Sequence, residues 1–326
     1  MTVLAVRLVA PDARDHEHAV TVGQGPEPDA PAEWTTVRMR AATINASDFA
    51  TMRGHGADRA RLPTILGSDG AGIDAAGNEV IIYPIIGDPT CHFDDPMLDP
   101  TLRMLSQGID GTFAQTVHVP AANLIPKPPE LSWEAAACLG TAWLTAYRAL
   151  FTRAAIRPGE TVLVHGAGGG IATAAIILAS AGGARVWVIS RTPARAERAV
   201  TELGADAAFG VGDPLPDLVD VVIDCVGTSV DHALTRLRPG GRLVLIGVAG
   251  GAPVAPIDLP KVFIGSLSIL GTAMGSPTEL TRLAALCARA DIAIPIDSVW
   301  PLDAAHAAFT RARSGEAFGK IVLHCD

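Results

Sequence analysis

Before position 125, apolar residues come in short runs broken by Gly, Pro and Asp; after it, longer apolar runs alternate with helical patterns. In the first part, Thr36–Ala42, Glu79–Ile82 and Thr116–Val119 read as strands of an irregular β-rich domain. Ile125-Pro-Lys-Pro-Pro-Glu-Leu131 is a proline-stiffened connector. Ser132 follows as the cap of a helix start. Further on, Val162–Val164, Val186–Ile189, Val219–Asp224 and Arg242–Ile246 read as strands. Several are apolar throughout, as strands covered on both faces should be. A helical pattern from Leu302 to Ser314 and a last strand, Lys320–Leu323, close the chain. Asp88–Gly108 is polar, irregular and fits neither pattern. Strands alternating with helices predict an α/β fold built on a parallel sheet.

The densest signal lies in Thr161–Arg191, where an apolar run ends in a burst of glycines, a small-residue helix follows, and a second apolar run closes the unit. Strand, tight turn, helix and strand make one dinucleotide-binding βαβ unit. Gly169 lacks a Cβ, so backbone there can approach a pyrophosphate, and Ala172 lets the helix pack near the strand. A helix starting at Gly170 and Ile171 offers free N–H groups and a positive dipole end to the phosphates. Ile171, Ala175, Leu178 and Ala179 share one helix face. An NAD-specific unit carries an acid at the end of its second strand to hold the ribose 2′-hydroxyl. No acid stands between Arg185 and Ala196; Ser190, Arg191, Thr192 and Arg195 are there instead. Guanidinium forks suit the 2′-phosphate of NADPH. Solvated surface arginines are the alternative reading.

A chain of 326 residues, 49% of them hydrophobic, suffices for two domains with large cores. A net charge of −9 argues against nucleic acid or an anionic membrane as the main partner. The five cysteines are odd in number and scattered, and no Cys-x-x-Cys pair occurs, so neither a disulfide framework nor a cysteine zinc ribbon is expected. No basic segment leads into an apolar core near the N-terminus, and the expectation is a soluble cytoplasmic protein. The long uncharged run Thr161–Ala184 is explained by the glycine turn and its helix rather than by a membrane span.

An ordered set of motifs covers nearly the whole chain. It comprises Asn45-Ala-Ser-Asp48 with Arg53-Gly54, Pro63-Thr-Ile-Leu-Gly-Ser-Asp-Gly-Ala-Gly72, Asp110-Gly-Thr-Phe-Ala-Gln115, and the run from Ala135 to Tyr147. The glycine turn, Leu203-Gly-Ala-Asp206, Asp224-Cys-Val-Gly227, Leu237-Arg-Pro-Gly-Gly-Arg242 and Gly319-Lys-Ile-Val-Leu323 complete it. Together they resemble the medium-chain dehydrogenase/reductases, the group of zinc alcohol dehydrogenases and zinc-independent quinone (NADPH) oxidoreductases. The resemblance implies a doubly wound Rossmann domain, residues 131–285, inserted in a GroES-like β-rich substrate domain, residues 1–130. A tail, residues 286–326, returns to the substrate domain.

The zinc branch of that group ligates its metal with Cys, His and Cys where this chain has Asn45, Ser68 and Thr141. Neutral Asn, Ser and Thr oxygens are poor zinc ligands. The structural zinc lobe would fall in Asp88–Gly108, which holds only Cys91, so no metal is expected in either place. Without zinc, something else must stabilise the oxyanion formed on the substrate. By resemblance, Ser47 sits at the proton-relay hydroxyl and Asn45 lines the same pocket, and either could donate a hydrogen bond to a substrate carbonyl; the same residue types also cap helix starts. Asp48 is expected to be structural, paired with an arginine. Phe49, Ala50 and Thr51 stand where some enoyl reductases of the group carry a tyrosine, which argues against an acyl-chain enoyl reductase. His55 and His92 read as solvated loop residues. Tyr83 and Trp143 fit a pocket wall or a core equally.

The resemblance also places Thr145 behind the nicotinamide and Lys320 near the cofactor. Backbone around Val226–Gly227, Gly247–Val248 and Gly271–Thr272 lies along the cofactor path. It implies an NADPH-dependent reductase of an activated C=C or C=O on a quinone, enone or reactive carbonyl. Two alternatives stay open: a zinc-free alcohol or carbonyl oxidoreductase of a dedicated biosynthetic pathway, and a non-catalytic NADPH-binding sensor or structural protein. Leu267–Leu270 reads as an edge strand, which by resemblance pairs with itself in a homodimer.

Overall fold

The computed structural model describes residues 2–12, 18–88, 95–227, 230–247 and 254–326; Cys91, His92 and Val248 lie outside the described residues. The chain divides into two compact units, Met1–Ala142 with Ser276–Asp326, and Trp143–Gly275.

The second unit is built on a six-stranded sheet in which every neighbouring pair is parallel. Its spatial order is Ala207–Gly210, Arg185–Ser190, Thr161–His165, Val219–Asp224, Leu237–Leu245, Ser268–Gly271. Apolar, β-branched residues drive this, because Thr161–Val164 and Val221–Asp224 are buried in continuous runs. The order reverses between Thr161–His165 and Val219–Asp224, so the crevice at their carboxyl ends is where such a sheet binds ligands. Helix Gly170–Ala181 buries Ala172, Ala174, Ala175, Ile176, Leu178 and Ala179, and packs on Thr161–His165 and Arg185–Ser190. Its small residues let it lie close to the sheet.

The first unit contains a mixed sheet ordered Leu124–Pro126, Glu79–Ile82, Asp69–Asp74, Trp34–Thr43, Lys320–His324, Ile296–Pro301, with Thr116–Pro120 also pairing Trp34–Thr43. Alternating burial along these strands feeds one core that includes Val37, Met39, Ile82, Phe113, Val117 and Leu323. The last strand pairs antiparallel with Trp34–Thr43, placing Val322 opposite Thr43 and Leu323 opposite Ala42. The tail therefore completes the sheet begun by the first residues, and Lys320 enters it from the far end of the sequence.

Observed elements track the apolar runs, and most extend a residue or two beyond them. The helix start at Ser132 is real: its Oγ accepts from Ala135 N at 3.1 Å. The regular helix is only Trp133–Ala137, followed by wide π-helical turns at Leu139–Trp143 and Arg148–Arg153. Helix Trp133–Ala137 packs on Trp34–Thr43 and Asp69–Asp74, and helix Pro277–Arg289 packs on Leu124–Pro126. Both helices thus belong to the first unit. The irregular segment before Gly108 contributes a short pairing of Ile85–Ile86 with Arg103–Met104. Among the described residues no helix is long and apolar enough to cross a membrane.

Candidate active site

In the second unit, the chain leaves Thr161–His165 through Gly166, whose φ of 100° is open to glycine at no steric cost. Gly169 caps helix Gly170–Ala181 in extended conformation, and a Cβ built on it meets nothing within 4 Å. The space above the helix start is open, and the first-turn N–H groups of Gly170 and Ile171 have no intrahelical acceptor. Gly168 has a different reason to be glycine. A Cβ there would come within 2.8 Å of Arg195 Cδ and Nε, so the arginine lies directly over the turn. Arg195 belongs to helix Pro193–Glu202, which begins just past the second strand. Ser190 is buried at the strand end, and its Oγ accepts from Thr192 N at 3.2 Å. Arg191 is exposed and has no hydrogen bond or ion pair among the described residues. An open helix start beside one arginine over the turn and one unpaired arginine fits a dinucleotide with a 2′-phosphate.

The remaining expected cofactor positions also lie in this unit, Lys320 excepted. Thr145 is buried, and Gly247 and Gly271 are exposed; the Gly271 carbonyl accepts from Arg153 Nε at 2.9 Å. The N–H groups of Val226 and Gly227 both donate to Asp224 Oδ1 at 2.9 Å.

In the first unit, a buried polar cluster surrounds Asn45. Asp69 Oδ2 accepts from Thr43 Oγ1 at 2.9 Å, Asn45 Nδ2 at 2.8 Å and Lys320 Nζ at 3.3 Å. The Lys320 ammonium, 2% exposed, also donates to Ile44 O at 3.0 Å and Asn45 Oδ1 at 2.5 Å. Its three donors are matched by three protein acceptors, all in this unit. Asn45 Nδ2 donates to Thr43 O at 3.3 Å as well, so both ends of its carboxamide are occupied. Asn45 caps the short helix Ala46–Met52. On the first turn of that helix, Ser47 Oγ is buried yet has no hydrogen-bond partner among the described residues.

Asp48 departs from expectation. Among the described residues no arginine pairs with it; its Oδ2 accepts from Asn45 N at 2.7 Å, closing the helix start on itself. A short helix that must bury its first turn needs a partner for its own orphan N–H, and Asp48 supplies it. Burial is the main force raising the Asp48 carboxyl to about 7; the Asn45 N–H opposes it, the charge of Asp69 adds to it, and Lys320 opposes it. Burial likewise pushes the Cys138 thiol up to about 12, with Lys320 pulling the other way, so it stays a neutral core group.

Ser68 and Thr141, the other two positions where zinc ligands would stand, hydrogen-bond to each other at 3.2 Å. These residues do not fit zinc. Their oxygens are neutral and engaged, and the Asn45 oxygen already faces an ammonium, which would repel a divalent ion. Tyr83 and Trp143 are fully buried and belong to the cores, and His55 is exposed. Asp69 was not anticipated. Its signal was a charged residue within the small and apolar run Pro63–Gly72, next to Ser68. Gly140 makes room for it, since a Cβ there would lie 2.9 Å from Asp69 Oδ1.

The family model described as "Alcohol dehydrogenase GroES-like domain" matches residues 31–129, and that described as "Zinc-binding dehydrogenase" matches residues 170–289. A zinc-type alcohol dehydrogenase-like protein of Schizosaccharomyces pombe is 29% identical over 314 residues, spanning 89% of this chain and 90% of its own. The acryloyl-coenzyme A reductase of Metallosphaera sedula is 26% identical over 330 residues, spanning 95% of this chain and 98% of its own. Among solved structures, an NAD-dependent alcohol dehydrogenase superposes with a TM-score of 0.89 at 30% identity, covering 99% of this chain and 100% of that one.

Proposed function

The chain belongs to the medium-chain dehydrogenase/reductase superfamily, and on that premise we propose that it is an NADPH-dependent, zinc-independent reductase. It is an oxidoreductase, and its reaction is assigned here as hydride transfer to an activated C=C or C=O of a quinone, enone or reactive carbonyl. The observation that carries this assignment is Ser47 Oγ, a buried hydroxyl that the described residues leave unpartnered. A buried hydroxyl without a partner is costly unless something else uses it. The zinc-type name of one relative points the other way; the donor set at Asn45, Ser68 and Thr141 outweighs it.

Gly169, Gly170 and Ile171 would hold the pyrophosphate at the helix start. Ser190, Arg191 and Arg195 hold the 2′-phosphate, with Arg195 braced over Gly168. Thr145, Val226, Gly247 and Gly271 line the path of the dinucleotide. NADPH, when bound, would supply the hydride. Addition of a hydride leaves negative charge on the substrate oxygen, and the Ser47 hydroxyl donates a hydrogen bond to it there. Lys320 acts on Asn45 and Asp69 rather than on the cofactor, locking the start of the helix that carries Ser47.

Within this reaction class, the acryloyl-coenzyme A reductase relative favours an activated C=C over a simple ketone. The test is turnover of a panel of quinones, enones and aldehydes with NADPH or NADH, in the native chain and in Ser47→Ala. Losing one oxyanion donor should lower kcat by roughly 100-fold or more. Full activity in Ser47→Ala removes Ser47 from the mechanism. Cofactor binding with no turnover across the panel replaces the enzyme reading with that of a sensor.

A further inference from the structure

His165 and Asp224 end the two central strands of the parallel sheet and stand opposite each other in its register. Their side chains meet, with His165 Nδ1 3.6 Å from Asp224 Oδ1. That oxygen also accepts the N–H groups of Val226 and Gly227. One buried carboxylate oxygen thus faces both the residue that opens the glycine turn and the loop that follows the neighbouring strand. The two segments also run close together: a Cβ on Gly166 would lie 3.6 Å from Val226 Cγ2. The far atoms of the pair, His165 Nε2 and Asp224 Oδ2, are buried and have no partner among the described residues.

We propose that His165 and Asp224 are positioning residues for the dinucleotide, joining the glycine turn to the Val226–Gly227 loop so that both present backbone to one ligand. This rests on the cofactor assignment made above. Two segments that shift independently would have to be ordered on binding, and the pair settles that cost in the free protein. Asp224 is well suited to the task. Burial favours its neutral form, but His165 and the two N–H groups prevail and hold its carboxyl below the usual range. An ionised Asp224 attracts Nδ1–H of the ring across that 3.6 Å and so favours the tautomer that carries it. Among the described residues, His232 on helix Val230–Thr235 also lies within electrostatic reach of His165. Burial first, then Arg236 and His165 itself, disfavour its charged form, so His232 adds little positive charge against the ring.

Two substitutions separate the polar contact to Asp224 from space filling. His165→Asn keeps an N–H where Nδ1 stood but leaves a void; His165→Phe fills the volume but donates nothing. The readout is NADPH affinity by fluorescence titration on the purified protein, with thermal melts to confirm folding. The expected result is a dissociation constant raised at least about tenfold in His165→Phe and less than about threefold in His165→Asn, with kcat at saturating cofactor nearly equal in both. The reverse order, Phe binding as well as or better than Asn, reduces the pair to packing and overturns the proposal. Native chain that binds no nicotinamide dinucleotide overturns the cofactor assignment itself, a distinct failure. Nitrogen NMR of the free native chain keeps the idea testable if a variant fails to fold: Nδ1–H is expected, and a neutral ring protonated only on Nε2 contradicts it.

Discussion

Lys320 Nζ lies 2.5 Å from Asn45 Oδ1, joining residues 275 apart in the sequence. The contact puts a fixed protein cation beside the position where the zinc branch of the superfamily places its first ligand. Replacing Lys320 by Met would leave the buried Asp69 carboxyl without its cation, with Asn45 released at one end. Breaking a buried pair in this way costs about 3–5 kcal/mol. Lys320→Met is therefore expected to melt well below the native chain, and Lys320→Met with Asp69→Asn to recover part of the loss. Calorimetry checks this; additive losses in the double variant would mean that the two groups do not interact.

Asp48 gives the fold a pH dependence. Its carboxyl titrates at about 7 in the folded chain against an ordinary 3.8. Between those values the folded state holds a proton that the unfolded state releases, so this group's contribution falls as pH rises through the window and is constant above it. The full effect is at most about 4 kcal/mol. Asp48→Asn still accepts from Asn45 N but cannot titrate. Melting temperatures from about pH 5 to 8 should show the native chain losing stability relative to Asp48→Asn as pH rises. Parallel curves would contradict it.

The two central glycines of the turn make opposite demands. Gly169→Ala meets open space and ordinary backbone angles, so the free protein should keep its melting temperature while NADPH binding weakens at least about tenfold. Gly168→Ala must push Arg195 off the turn. It should weaken NADPH more than NADH, because only the former carries a 2′-phosphate for the arginine to hold. Titration of both cofactors against both variants decides this, and equal losses for the two cofactors in Gly168→Ala would take Arg195 out of the phosphate site.

The strand reading succeeded wherever burial is continuous. Val162–Val164 and Val221–Asp224 are covered on both faces, so composition alone marked them. The glycine turn was legible because its neighbours in sequence are its neighbours in space. Lys320 was not, because its partners at 45 and 69 become adjacent only when the last strand pairs with Trp34–Thr43. Asp48 differs: its partner is local, since Asn45 and Asp48 stand three apart as N-cap and N3 of a capping box, and the carboxylate turns back to the Asn45 N–H instead of out to an arginine. Asn45 looked like a donor, and only the structure reveals that Asp69 and Thr43 already occupy both of its N–H bonds.

Strand Ser268–Gly271 pairs only with Leu237–Leu245 among the described residues, and the preceding helix Leu259–Ile264 exposes Phe263 at 70% and Ile264 at 75%. An open edge beside large exposed apolar groups is expected to be covered by a second copy. Sedimentation should give a dimer at micromolar concentration and a shift toward monomer in Phe263→Glu, a surface change with little cost to the fold. Native chain that sediments only as monomer would rule out the dimer.

The central claim is that a reductase works here without zinc. Its most direct test is to quantify zinc in one purified sample and to follow NADPH oxidation by an enone or quinone in that same sample. The account predicts turnover that survives chelator, with far less than one zinc per chain. Stoichiometric zinc, with activity that disappears on chelation and returns with the metal, would contradict it.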